Sequence, residues 1–215
     1  MTKPQAVLFD LDGVIVDTAK HHFKAWKDLA DELGFTFTEN DNERLKGVSR
    51  MDSLNILLNI GNINKSDEEK EYLAAKKNER YVAAISQMDE SEILPGVVRF
   101  LNELEENNIP YALGSASKNA PKILKQIGLF DAFNAIVDGN TISKAKPDPE
   151  VFLKGAEELS VHPESCVVFE DAQSGIEAGK KAGMYVVGVG DPDVLKGADD
   201  YIKSMEEMSV KRLKG

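Results

Sequence analysis

Six side chains in this sequence are of types that together can handle phosphate. They are Asp10 and Asp12, one residue apart after the run Ala6-Val7-Leu8-Phe9, and then Ser115, Lys146, Glu170 and Asp171. Paired carboxylates repel each other and are costly to bury without a cation. A hard divalent ion such as magnesium supplies that charge and prefers oxygen ligands. A carboxylate can also attack phosphorus, dividing one hard displacement into two easier ones through an aspartyl phosphate. On that chemistry Asp10 is the nucleophile, and Asp12 is the general acid and base that protonates the leaving oxygen and deprotonates the next acceptor. Ser115 and Lys146 hold the transferring oxygens, assisted by amides of the Asp12-Gly13 turn. Asp171 completes a magnesium shell with Asp10 and the carbonyl of Asp12, while Glu170 orients ligand waters. Taken alone, Asp10-Leu11-Asp12-Gly13-Val14 reads equally as an ordinary acidic turn, because Asp-Gly is a common turn pair. The rest of the chain must bring the six groups together for the first reading to hold.

The elements that would do so are legible. Ala6 to Phe9 is too short for a helix and reads as a strand buried on both faces, which puts Asp10 at its C-terminal end. From Asp17 the period becomes helical: Thr18, His22, Ala25, Trp26, Leu29 and Leu33 share a face, and Gly34 stops the helix. On this spacing His22 points inward and His21 is solvated. Ser49 caps a helix from Arg50 to about Ile60, and Ser66 caps a long one whose stripe carries Leu73, Lys77, Tyr81, Ile85 and Met88. Lys77 is out of place on that stripe, and a lysine there also reads as one that snorkels. Nothing from 18 to 88 reads as a strand, so this segment is expected to be an all-helical cap inserted into a core of 1–17 and 89–215. Pro95 then starts a helix to Glu105, Ile109 to Gly114 is a strand, and Ser117 caps a helix to Ile127. Ala135 to Val137 and Cys166 to Phe169 are strands, each preceded or followed by helices at Pro149 to Leu159 and Ser174 to Ala182, and Tyr185 to Val189 is the final strand. Such alternation predicts an α/β fold with a doubly wound, Rossmann-like parallel sheet, whose ligands bind at the C-terminal strand ends.

Composition narrows the partners. The 215 residues suit one large domain or a core with a modest insert, and 42% hydrophobic content with no long apolar run predicts a soluble protein that does not engage a membrane. The net charge of -11 argues against nucleic acid. One cysteine, Cys166, and an N-terminus without a secretory signal point to the cytoplasm. Lys65, Lys70 and the closing Lys211, Arg212 and Lys214 read as solvated surface.

The ordered motifs Asp10-Leu11-Asp12-Gly13-Val14, Ser115, Lys146-Pro147 and Glu170-Asp171 resemble those of the haloacid dehalogenase-like phosphotransferases, with a helical cap inserted after the first motif. The resemblance extends nearly end to end to the sugar phosphomutases of that family. It is most specific at Asp17-Thr18 with His22-Phe23 and Ala25-Trp26, at Leu45 to Arg50, at Lys77-Asn78 and at Ser115-Ala116-Ser117-Lys118-Asn119. It implies a magnesium-dependent isomerase that exchanges phosphate between C1 and C6 of beta-glucose, with beta-glucose 1,6-bisphosphate as the intermediate. Such an exchange needs a second anion site, and Arg50 at a capped helix start suits the phosphate that is not being transferred. By resemblance, Trp26, Lys46, Gly47, Ala116, Ser117, Lys118 and Asn119 also contact substrate, and His22 and Lys77 tie its binding to cap closure and to the placement of Asp12. The partners implied are small sugar phosphates, bound by a monomer.

Two departures stand out. Gly114 replaces an expected alanine, and Asp138-Gly139-Asn140-Thr141 differs from the family's proline-containing turn, so no site residue is assigned there. The rival readings are a magnesium-dependent sugar-phosphate phosphatase on the same fold and a signalling receiver module phosphorylated on aspartate. Arg50 with Lys46 and Gly47 argues against the first, and the long insert against the second.

Overall fold

The structure, a computed structural model, describes residues 4–213. Strand β1 (Ala6–Phe9) is followed by four helices: α1 (Ala19–Leu33), α2 (Glu39–Glu43), α3 (Arg50–Ile60) and α4 (Asp67–Ile85). The alternation then runs α5 (Val97–Glu106), β2 (Tyr111–Gly114), α6 (Ala120–Gln126), β3 (Ala135–Val137), α7 (Glu150–Glu158), β4 (Cys166–Glu170), α8 (Gln173–Lys181), β5 (Tyr185–Val189), β6 (Asp200–Ile202) and α9 (Val210–Leu213). All six strands are parallel in the order β3-β2-β1-β4-β5-β6. This doubly wound order reverses direction between β1 and β4, where such sheets bind ligands.

Alternate residues of each strand enter two separate apolar clusters, as a strand buried on both faces requires. Val7, Phe9, Leu113, Val167 and Phe169 pack with α5, α6 and α9 on one face. Ala6, Leu8, Ala112, Val168 and Val186 pack with α7 and α8 on the other. A third cluster, built on Trp26, Leu29, Leu54, Leu57 and Leu73, belongs to the inserted helices. Phe9 stacks on Phe169 at 5.3 Å, pinning the two strand ends that precede Asp10 and Glu170.

Several expectations need correction. Tyr185 to Val189 is not the last strand: β6 pairs beyond it, too short and too acidic at Asp200 to register as a strand by pattern. The helix expected from Pro95 begins at Val97 after Gly96, whose left-handed backbone lies against that of Glu206. Ser117 does not cap a helix, because α6 starts at Ala120 after Asn119. The Ser117 hydroxyl instead accepts the amide of Asn119 (3.2 Å) in the turn before it. Gly114 leaves room for the ring of Phe152, which a Cβ there would meet at 2.9 Å. Cys166 is buried, Lys65 is paired with Glu69, and Arg212 is paired with Asp200 at 2.9 Å on the surface. Lys214 and Met1 to Lys3 lie outside the described residues. Among the described residues no helix is long and apolar enough to cross a membrane.

Candidate active site

The strand order makes neighbours of the ends of β3, β2, β1 and β4, which carry all six of the core groups. Asp10, Ser115, Lys146 and Glu170 are buried. The Lys146 ammonium donates to Asp10 Oδ1 and to Glu170 Oε1, both at 2.5 Å, and lies 4.8 Å over the ring of Phe152. An ammonium has three donors, so one is left over from these two bonds. Burial disfavours its charge, but Asp10 and Glu170 outweigh that and raise its pKa.

One lysine cannot neutralise this much acid. Burial, and the charge of Asp10 beyond it, push Glu170 to about 7 in spite of Lys146. Burial with Glu170 and Asp10 raises Asp171 well above the carboxylate range. Oxygens of Asp10, Glu170 and Asp171 lie within 4.8 Å of one another, a hard all-oxygen donor set with an excess of negative charge, and these residues fit a divalent cation. Two sequence expectations are narrowed here. The second Glu170 oxygen accepts the Ala172 amide (2.9 Å) under Gly175, which leaves the carboxylate wholly enclosed. The Gly13 amide donates to Val16 C=O (2.9 Å) and so is not free for phosphate. Gly13 is nonetheless required: its φ is +83°, and a Cβ would overlap the Asp171 carboxylate.

The Asp12 side chain stands apart from this cluster. Thr18, fully buried at the N-terminus of α1, leaves its helix uncapped and donates its hydroxyl to Asp12 Oδ1. Burial and then the Asp10 charge raise Asp12 to about 6, against the pull of Thr18, Lys146 and Lys77. That is the range in which a carboxyl can both give and take a proton near neutrality.

Above the floor hangs a cationic roof. The Lys77 ammonium sits 2.9 Å from His22 Nδ1 and over the rings of Trp26 (4.5 Å) and Tyr81 (4.6 Å). While Lys77 is charged its ammonium only donates, so His22 Nδ1 accepts and the imidazole proton lies on Nε2, which stands 3.8 Å from Asp12 Oδ1. Burial and the Lys77 and Arg50 charges hold His22 well below its usual pKa, so it is neutral. Burial, then Arg50, lowers Lys77 to about 7. Arg50 makes no ion pair or side-chain hydrogen bond among the described residues, and Lys46 pairs with Glu43 at 2.9 Å. His21 is not solvated as expected: its ring is one-fifth exposed, with Nε2 buried 4.0 Å from Glu92.

Floor and roof enclose a cavity of about 670 Å3, within the size range of small-molecule sites. Asp10, Asp12, His22, Trp26, Lys46, Gly47, Arg50, Lys77, Ser115, Ala116, Ser117, Lys118, Asn119 and Asp171 all line it, while Lys146 and Glu170 lie just beneath. Sequence reasoning missed Asn42, Tyr81 and the turn after β3 as part of this site. Asn42 had no signal beyond being polar, and Tyr81 was read only as part of an apolar stripe. The Gly139 amide donates to Ser117 C=O (3.3 Å) and Asn140 Nδ2 to Lys118 C=O (3.1 Å), so the unassigned turn braces the Ser115 to Asn119 loop.

Residues 7–189 match the model of the haloacid dehalogenase-like hydrolases. The chain is 44% identical to the beta-phosphoglucomutase of Bacillus subtilis over 97% of its own length and 93% of that protein's. It is 34% identical to a phosphorylated carbohydrates phosphatase of Thermotoga maritima over 84% of this chain and 82% of the other. The crystal structure of a beta-phosphoglucomutase from Clostridium difficile superposes with a TM-score of 0.94 at 41% identity, covering 100% of this chain and 96% of that one.

Proposed function

Because the chain belongs to the haloacid dehalogenase-like hydrolase family, we propose that it is a phosphomutase interconverting beta-D-glucose 1-phosphate and beta-D-glucose 6-phosphate. The observation that carries this reading is the unpartnered Arg50 guanidinium facing the acidic floor across one cavity. A phosphatase has to hold only the phosphate it cleaves, whereas a mutase must grip two at opposite ends of a sugar.

In this reading Asp10 begins each cycle as an aspartyl phosphate, loaded from the bisphosphate. The C6 hydroxyl of bound beta-glucose 1-phosphate loses its proton to Asp12 and attacks that phosphorus, the bond from phosphorus to Asp10 breaks, and beta-glucose 1,6-bisphosphate forms. The bisphosphate reverses relative to the site, so that its C1 phosphate faces Asp10. Asp10 then attacks the phosphorus at C1, the bond from that phosphorus to the C1 oxygen breaks, and Asp12 returns the proton to that oxygen. Beta-glucose 6-phosphate leaves, and the aspartyl phosphate is restored. Ser115, the third donor of Lys146 and the loop from Ala116 to Asn119 hold the transferring group. Arg50, with Lys46 and Gly47, holds the distal phosphate as a guanidinium fork at a helix start. His22 and Lys77 orient Asp12 when the sugar fills the space beneath Trp26. Asp10, Glu170, Asp171 and the carbonyl of Asp12 would hold magnesium, which when bound supplies positive charge to the transferring phosphoryl oxygens. Residues 18–88 form the lid over a core of 1–17 and 89–215, and the enzyme works as a cytoplasmic monomer.

A second reading, a sugar-phosphate phosphatase, is favoured by the likeness to the Thermotoga protein. Supplying beta-glucose 1-phosphate, magnesium and a trace of the bisphosphate separates the two. Glucose 6-phosphate is expected; free glucose and inorganic phosphate would mean a hydrolase.

A further inference from the structure

We propose that Ser174 is a positioning residue that clasps the cap onto the core through the carbonyl of Lys46, and so keeps water from the phosphorylated Asp10. The proposal rests on the mutase reading above. Ser174 lies in the first turn of α8 and does not line the cavity, so it has no contact with substrate of its own. Its hydroxyl donates to Lys46 C=O at 3.2 Å, a bond joining residues 128 apart in sequence and running from the core to the cap.

The residue after that carbonyl is shaped for the same contact. Gly47 has a φ of +71°, and a Cβ there would overlap Ser174 Oγ and stand 3.2 Å from Ala172 Cβ. The cap backbone therefore rests directly on the turn that follows Asp171, an approach open only to glycine. Held this way, Lys46 fixes the start of the segment that leads through Ser49 into α3 and Arg50. Across the cavity a second side-chain bond spans the rim, from Asn119 Nδ2 to Asn78 Oδ1 at 3.0 Å. Ala25, Tyr81, Ile85 and Met88 of the inserted segment pack into the core's own apolar cluster, while Trp26 and Leu54 belong to a separate one; at these two rim contacts side-chain hydrogen bonds join lid to core.

The open population of a lid depends on each bond that joins its rim to the core. One net hydrogen bond shifts such an equilibrium by about 2- to 12-fold. When the lid opens over the phosphoenzyme, a water oxygen bonds to phosphorus and the bond from phosphorus to Asp10 breaks. One proton of that water passes to Asp12 and the other leaves on inorganic phosphate. Closure suppresses this loss by excluding water, so the clasp sets the ratio of hydrolysis to transfer.

The test measures inorganic phosphate and glucose 6-phosphate together, using the full chain with beta-glucose 1-phosphate, magnesium and a trace of bisphosphate. Ser174→Ala is expected to raise the ratio of phosphate to glucose 6-phosphate by about 2- to 12-fold. Its hydrolysis of a small aryl phosphate, which needs no closed lid, should stay within about 2-fold of the wild type. Gly47→Ala, which pushes the same contact apart, should raise the ratio at least as far. An unchanged ratio in Ser174→Ala would overturn the clasp, as would a parallel fall of transfer and aryl phosphate hydrolysis, the mark of a merely structural role. A wild-type protein that makes no glucose 6-phosphate would instead remove the mutase reading, and the clasp with it.

Discussion

The floor and the roof of the cavity are opposite in charge and unequal in completeness. On the floor, Asp10 and Glu170 share a single ammonium with Asp171 close to both carboxylates, and burial together with the excess negative charge raises Glu170 and Asp171. On the roof, Arg50 has no counter-ion among the described residues, and Lys77 rests on a neutral imidazole and two aromatic rings. The floor lacks cations and the roof lacks anions. In the proposed mutase reaction a dianionic phosphate with a divalent metal would complete the floor, and a second phosphate would complete the roof. Each half alone is costly to desolvate, so ligand and closure stabilise one another.

Removing the group at the centre of the floor gives the largest effect. Asp10→Asn is expected to abolish turnover while leaving the fold intact, and no radiolabelled phosphate should become bound to the protein; retained activity would remove Asp10 as the nucleophile. Lys146→Met takes away the charge shared by Asp10 and Glu170. Stranding buried carboxylates in this way should lower unfolding free energy by about 3–5 kcal/mol, read by urea denaturation. A loss below about 1 kcal/mol would mean that the floor is not organised around this ammonium.

The roof should respond differently, in substrate range more than in stability. Arg50→Ala loses a charge-assisted contact of about 1.5–3 kcal/mol, a fall of roughly 10- to 150-fold in mutase kcat/KM. Hydrolysis of a small aryl phosphate should barely change; equal losses would show that Arg50 does not clamp a second phosphate. The smallest effect concerns pH. Lys77, lowered to about 7 by burial and by Arg50, carries its charge below that pH and loses it above. Kcat/KM, which reports the free enzyme, should therefore fall several-fold as pH rises through about 7. Lys77→Met should lose this step while keeping any step at lower pH. If the step persisted in the variant, another group would be its source.

Much of this arrangement is legible in the sequence. Short, mostly apolar runs of three to six residues located five strands, since a strand buried on both faces leaves that signature. The caps at Ser49 and Ser66 were legible because the side chain that stops a helix is local to it. The same locality failed elsewhere. His21 is turned toward Glu92, 71 positions away, and helical period cannot report such a neighbour. Ser117 looked like a cap, but its hydroxyl is engaged in the turn before the helix. The turn at Asp138 to Thr141 had no legible role because its partners are carbonyls of a different loop.

By itself, then, the sequence determined five of the six described strands, the helices that carry Lys77 and Arg50, and the acid, hydroxyl and lysine types at successive strand ends. Those depend on periodicity and on side-chain chemistry, which are properties of neighbours along the chain. Only the tertiary structure decided that one ammonium serves both Asp10 and Glu170, that Lys77 fixes the tautomer of His22, and that Ser174 meets Lys46. These pairings join residues 24 to 136 positions apart. They are set by strand order and by packing of the cap on the core, which no local pattern encodes.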